Sequence, residues 1–210
     1  MKFQLTTDRL RTALDTLADR DRHLAAALAG VGYPSERRRG APSYGHLLRV
    51  IAGQQLSVKA AATIFARLEG AMGRLAPERL LALSDDELRA IGLSRQKISY
   101  ARGLSQAVAE GALDPGALAE LPDDEVRRRI TALKGFGRWS AEMFMLFALG
   151  RPDVWPADDL GIQAGVQRIK HLRSRPDRRR TESIGRAWAP HRGAAAIFVW
   201  HYHANAPMQE

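Results

Sequence analysis

Helical spacing with no competing strand pattern is the strongest constraint this chain places on its own fold. Between residues 7 and 29 the apolar side chains fall at Leu10, Ala13, Leu14, Leu17, Leu24 and Leu28, the three-and-four spacing that lines one face of an α-helix. Charged residues at 19–21 predict a break in that run. Residues 44–68 continue the helical pattern across a polar interruption, Gly53-Gln54-Gln55-Leu56-Ser57. No segment alternates apolar and polar residues over a useful length, so the chain is expected to be all-α. At 210 residues and 45% hydrophobic content it can bury a proper core.

Composition removes several chemistries. There is no cysteine, which excludes disulfides, thiolate catalysis, cysteine-ligated zinc and iron–sulfur clusters. His201 and His203 near the end of the chain are weak evidence for a metal site. Thirty-two Lys and Arg against 23 Asp and Glu leave a net charge of +9, which points to a polyanionic partner. No run of eighteen apolar residues occurs and the first residues are charged throughout. A soluble, intracellular protein of the cytoplasm or nucleoid is therefore expected, with no signal peptide or membrane span, and a monomer.

Residues 30–43, which include Glu36-Arg37-Arg38-Arg39, read as a loop or linker. Further along, the chain loosely repeats itself. Leu83-Ser84-Asp85-Asp86-Glu87-Leu88-Arg89 is echoed by Leu121-Pro122-Asp123-Asp124-Glu125-Val126-Arg127, both placing acids at the positive end of a helix dipole. The second copy leads into Leu133-Lys134-Gly135-Phe136-Gly137-Arg138-Trp139. One glycine can end a helix in the left-handed conformation and the next lets a new helix begin at once. Such a turn either is an ordinary glycine-capped connection or presents backbone N–H groups to a phosphate, with Lys134 and Arg138 flanking it. A second helix is expected from Ala141 to Leu149. Downstream, Pro156-Ala157-Asp158-Asp159 precedes a new apolar run, so one aspartate either caps a helix or serves as an ionised carboxylate held by that helix's dipole.

In this order, the hairpin, the acidic residues after Gly150-Arg151-Pro152 and the upstream Ile51-Ala52-Gly53-Gln54-Gln55-Leu56-Ser57 resemble the helix-hairpin-helix DNA glycosylase superfamily over roughly residues 44–204. The likeness is greatest to the alkylated-base branch, the 3-methyladenine DNA glycosylase II type, without an N-terminal β domain. The resemblance implies two helical subdomains flanking an active-site cleft. It divides the chain into an N-terminal helical segment and linker (1–43) packing with the C-terminal helices, a helical domain (44–150) with the helix-hairpin-helix at about 121–149, and a catalytic loop with C-terminal helices (151–210). It implies that amides near Gly135 and Gly137 bind a DNA phosphate, with a sodium or potassium ion at the carbonyls of Thr131, Leu133 and Phe136 and no other cofactor.

By the same resemblance the catalytic acid is Asp159, with Asp158 the alternative. It would stabilise an oxocarbenium-like sugar and position water. Members that also nick the backbone carry a lysine at the position of Trp139. Lys134 does not match that position, so hydrolysis without lyase activity is expected. Gln55 or Leu56 would fill the gap left by a flipped base. Trp139 would stack on a cationic alkylated base, with Tyr44, Phe144, Trp188 and His191 as neighbours. Met143 and Leu160 stand where some relatives have aromatics, which leaves hypoxanthine or ethenoadenine open as substrates. A helix-hairpin-helix module that binds DNA without cleavage is the non-enzymatic alternative. The arginines from 173 to 180 fit either a mobile phosphate-touching loop or a solvated linker.

Overall fold

A computed structural model of the chain describes residues 5–35 and 41–207. The Glu36–Arg39 run lies outside the described residues. Among those described there is no strand. The helices run α1 (Thr7–Arg20), α2 (Arg22–Val31), α3 (Tyr44–Gly53), α4 (Val58–Met72), α5 (Pro77–Ala82), α6 (Asp85–Ile91), α7 (Arg95–Ala109), α8 (Asp123–Thr131), α9 (Arg138–Phe147), α10 (Leu160–Ile169), α11 (Arg178–Arg186) and α12 (Arg192–Asn205), with a 3-10 turn at Ala117–Glu120. None is long and apolar enough to cross a membrane.

The chain forms two compact units, one of residues 1–39 with 150–210 and one of residues 40–149. In the central unit α3 is the hub: Leu47, Leu48, Ile51 and Ala52 are buried where it meets α4, α7 and α9. Helix α8 packs on α9, and α5 on α7. In the other unit α12 takes that place. Its run from Gly193 to Val199 is wholly buried against α10, α1 and α2. Burial of so continuous an apolar stretch on several sides is what a small-residue helix such as Gly193-Ala194-Ala195-Ala196 permits.

The sequence signals and the element ends agree for identifiable reasons. The break expected at 19–21 falls at Asp21, whose side chain accepts from the backbone N–H groups of His23 and Leu24 and so starts α2. Of the two repeated acidic starts, the first is a complete capping box, with Ser84 and Glu87 satisfying each other's backbone. The second has its acids in place but Pro122 at the cap and no side-chain bond. Two expectations need correction. The second hairpin helix begins at Arg138 rather than Ala141, because Gly137 is already extended and lets the helix start directly. The arginine-rich segment is a loop only as far as Asp177, which caps α11 by accepting from the Arg180 N–H. Arg178 then pairs with Glu182 one turn on.

Candidate functional site

The hairpin between α8 and α9 closes by backbone bonds. Leu133 N–H donates to the Ile130 carbonyl and Phe136 N–H to the Leu133 carbonyl, each at 3.1 Å. Gly135 sits at φ +91°, and a β-carbon there would stand 2.2 Å from the Tyr100 ring. Left-handed backbone and close packing both demand glycine at 135. Gly137 differs. It is extended at φ −89°, serves as the N-cap of α9 without a side chain to offer, and would have open space around a β-carbon. The mouth of the turn is open on the Gly137 side, as an anion approaching backbone donors requires. Lys134 and Thr131 are exposed on the turn, while Phe136 is buried. The Leu133 carbonyl, one lone pair taken by Phe136, keeps a second for a hard cation, and the donor set Thr131, Leu133 and Phe136 offers carbonyl oxygens of the kind alkali ions take. Arg138 is exposed, but its Nε donates at 2.8 Å to the buried Glu142, so its charge offsets a carboxylate as well as any phosphate.

The polar interruption between α3 and α4 comes to the same hairpin. Gln54 donates from Nε2 to the Gly135 carbonyl at 2.8 Å and to Ser140 Oγ at 3.2 Å. Beside it Gln55 is held at φ 57°, a left-handed conformation that costs a non-glycine residue about 1–2 kcal/mol. Leu56 and Val58 follow, 40% and 89% exposed. Strain and uncovered apolar side chains together at one loop are features that folding alone does not select.

Trp139 lies half-exposed in the first turn of α9. The other aromatics expected around a base are placed differently. Tyr44 is buried with its hydroxyl 2.7 Å from Ser105 Oγ; burial, against the partial offset of that bond, pushes its phenol up to about 12. Phe144 is buried in the packed face of α9. Trp188, 1% exposed, donates its indole N–H to Asp21 at 2.8 Å and meets Trp155 edge-on. These three are packed in the core, where large aromatics at helical spacing are drawn by their own area. His191 stays half-exposed at the start of α12, its turn fixed by the two bonds of 2.8 and 2.7 Å that Arg192 makes to Asp153.

The tandem aspartates separate cleanly. Asp158 is exposed and lies 3.6 Å from Arg178. Asp159 is the N-cap of α10, and its Oδ1 accepts from the Ile162 N–H and from Trp200 Nε1, each at 2.9 Å. Next to it Leu160 is 61% exposed. Sequence reasoning did not single out Trp200. The signal that could have found it is Gly161 and Gly165, one turn apart on α10, where a β-carbon would run into Trp200 and Val199 of α12 respectively. His201, by contrast, is engaged with the Val31 carbonyl and Asn205. Among the described residues no group of three or more His, Cys, Asp or Glu could hold a metal ion.

Comparison with known proteins meets this geometry. The solved 3-methyladenine DNA glycosylase of Schizosaccharomyces pombe, in complex with abasic DNA, superposes with a TM-score of 0.89 at 31% identity, over 95% of this chain and 100% of that one. The curated DNA-3-methyladenine glycosylase 1 of the same yeast is 34% identical over 177 residues, 82% of this chain and 78% of that protein. DNA-3-methyladenine glycosylase 2 of Escherichia coli is 29% identical over 167 residues, 73% of this chain and 55% of that protein. The model of the HhH-GPD superfamily of base excision DNA repair proteins matches residues 48–191, a span that holds the loop between α3 and α4, the hairpin, Trp139 and Asp159, and the chain belongs to that superfamily.

Proposed function

We propose that the protein is a monofunctional DNA glycosylase that hydrolyses the N-glycosidic bond of 3-methyladenine- and 7-methylguanine-type bases in duplex DNA and leaves an abasic site. The observation that carries this reading is the carboxylate of Asp159, fixed at the N-terminus of α10 by two donors to one oxygen. A fixed anion is what the reaction needs, because cleavage builds positive charge on the deoxyribose. Asp159 stabilises that charge and orients the attacking water. No lysine stands at the Trp139 position, so no imine to the sugar forms and the product keeps its backbone.

The remaining residues supply binding. Backbone amides of the hairpin near Gly135 and Gly137 hold a phosphate, with Lys134 and Arg138 adding charge. An alkali ion on the Thr131, Leu133 and Phe136 carbonyls would contribute a fixed positive charge beside that phosphate. Gln55 or Leu56 enters the stack when the base leaves it, and Trp139 receives the base. An alkylated purine carries positive charge, which an indole face attracts by about 0.5–2 kcal/mol. The protein acts where the chromosome is accessible, in the cytoplasm or nucleoid.

The test uses duplexes carrying single 7-methylguanine, 3-methyladenine, ethenoadenine or hypoxanthine, with free base scored before and after alkali. Release of the alkylated bases with strand cleavage only after alkali is the expected result. Cleavage without alkali would exclude hydrolysis alone. Asp159→Asn is expected to lose roughly 100-fold or more in single-turnover rate, and a variant as fast as wild type would remove the catalytic assignment.

A further inference from the structure

The oxygen of Asp159 that caps α10 is shared. One bond comes from the helix it starts, the Ile162 N–H, and the other from Trp200 on α12, 41 residues away, both at 2.9 Å. A cap bond alone leaves a carboxylate free to swing about its side-chain torsions. A second donor from a different element fixes its plane and hence the direction in which the other oxygen projects.

The approach of Trp200 depends on Gly161. A β-carbon there would stand 3.1 Å from Asp159 Oδ1, 3.1 Å from Trp200 Cδ1 and 3.2 Å from Nε1. One turn on, a β-carbon at Gly165 would lie 2.5 Å from Val199 Cγ1 and 2.8 Å from the Val199 carbonyl oxygen. The missing side chains let α12 close on α10 until the indole N–H reaches the carboxylate. Trp200 is itself only half-buried, whereas Trp155 and Trp188 are core residues with N–H partners elsewhere, the Thr181 carbonyl and Asp21.

We propose that Trp200 is a positioning residue for base removal: its indole N–H, admitted by Gly161, fixes the orientation of the Asp159 carboxylate. The inference rests on Asp159 carrying the reaction.

Trp200→Phe keeps most of the ring's area and removes the N–H. Its single-turnover excision of 7-methylguanine at saturating enzyme is expected to fall about tenfold or more, since misplacement of a reacting group is costly. Its Kd for an abasic-site duplex should stay within about twofold, and its Tm within a few degrees. Gly161→Ala, which crowds the same contact, should fall in the same direction. In an Asp159→Asn background, adding Trp200→Phe should change the residual rate by less than about twofold, because residues acting as a unit are not additive. Independently of any effect on folding, the indole N–H resonance of Trp200 in the wild-type protein, identified among the four tryptophans, should shift when Asp159 is replaced. Wild-type excision by Asp159→Asn would remove the catalytic reading and this inference with it. An inactive Asp159→Asn beside a fully active Trp200→Phe would overturn the inference alone. So would a Trp200→Phe rate loss that persists in full on Asp159→Asn, or one matched by lost affinity and Tm.

Discussion

At φ +91° the backbone of Gly135 lies where side chains are strained, and the Tyr100 ring occupies the space a side chain would enter. Gly137, two residues later, is extended and open. Substitution separates the two. Gly135→Ala meets both a left-handed penalty of about 1–2 kcal/mol and the overpacking of an aromatic contact, about 1–3 kcal/mol. A loss of roughly 2–5 kcal/mol in unfolding free energy is expected by urea denaturation. Gly137→Ala meets no clash and should cost only about 1 kcal/mol, the amount by which alanine is the poorer N-cap. If backbone amides grip a phosphate at the open mouth, that same methyl stands in the phosphate's path and the Kd for an abasic duplex rises about fivefold, near 1 kcal/mol. Equal stability losses for the two variants would contradict the geometry. A stable Gly137→Ala with wild-type affinity would contradict the phosphate reading. The pair of glycines is visible in the sequence as a turn. The Tyr100 ring that makes one of them indispensable for packing is 35 residues upstream, and no local pattern points to it.

At the scale of elements, helical periodicity and helix-start chemistry carried most of the fold. Leu10, Leu14 and Leu17 are buried on α1 as their spacing requires, and Asp21, Ser84 and Asp159 each start a helix with a side-chain bond. What stayed illegible is contact between distant elements. Tyr44, Phe144 and Trp188 have the composition of an aromatic pocket and the burial of a core, and only tertiary packing distinguishes the two. The Gln54 bonds show the same limit. The loop between α3 and α4 is visible in the sequence as a polar interruption, yet its anchor is the Gly135 carbonyl, 81 residues on. That bond sets the register of Gln55 and Leu56 against the hairpin within one unit. Gln54→Leu strips the partners from a part-buried carbonyl and hydroxyl, which costs about 1–3 kcal/mol. Beyond that loss, base flipping is expected to slow, read by fluorescence of a 2-aminopurine placed beside the lesion, while a duplex already containing an abasic site still binds. Unchanged flipping kinetics would mean the anchor serves stability alone.

At the scale of the whole molecule, the unit that holds Asp159 is built from both ends of the chain. Leu5 N–H donates to the Gly150 carbonyl at 2.9 Å, and α1 and α2 pack on α12. The polar stitch is Asp21. It caps α2, accepts the Trp188 indole N–H at 2.8 Å and pairs with the Lys170 ammonium just beyond α10. Burial pushes the Asp21 carboxyl up, but the bonds from Lys170 and Trp188 and the ammonium's charge outweigh it and hold the group below its ordinary 3.8. The sign follows by linkage. A carboxyl depressed in the folded state binds protons more readily when unfolded, so its contribution is fully present above about pH 4 to 5 and is lost as pH falls through the folded value. Unfolding free energy should therefore decline as pH is lowered from 5 toward 3. Asp21→Asn keeps a cap but leaves Lys170 facing a neutral amide; it should cost roughly 1–3 kcal/mol at pH 7 and flatten part of that acid decline. A wild-type pH slope retained in Asp21→Asn would assign the acid sensitivity to other carboxylates, of which Asp153, also held down against burial by Arg192, is the next to substitute. Because Asp21 lies far along the sequence from Asp159 yet supports the same unit, the variant is also expected to lose excision activity with temperature in step with its lowered Tm, while its rate at 10 °C stays near that of wild type.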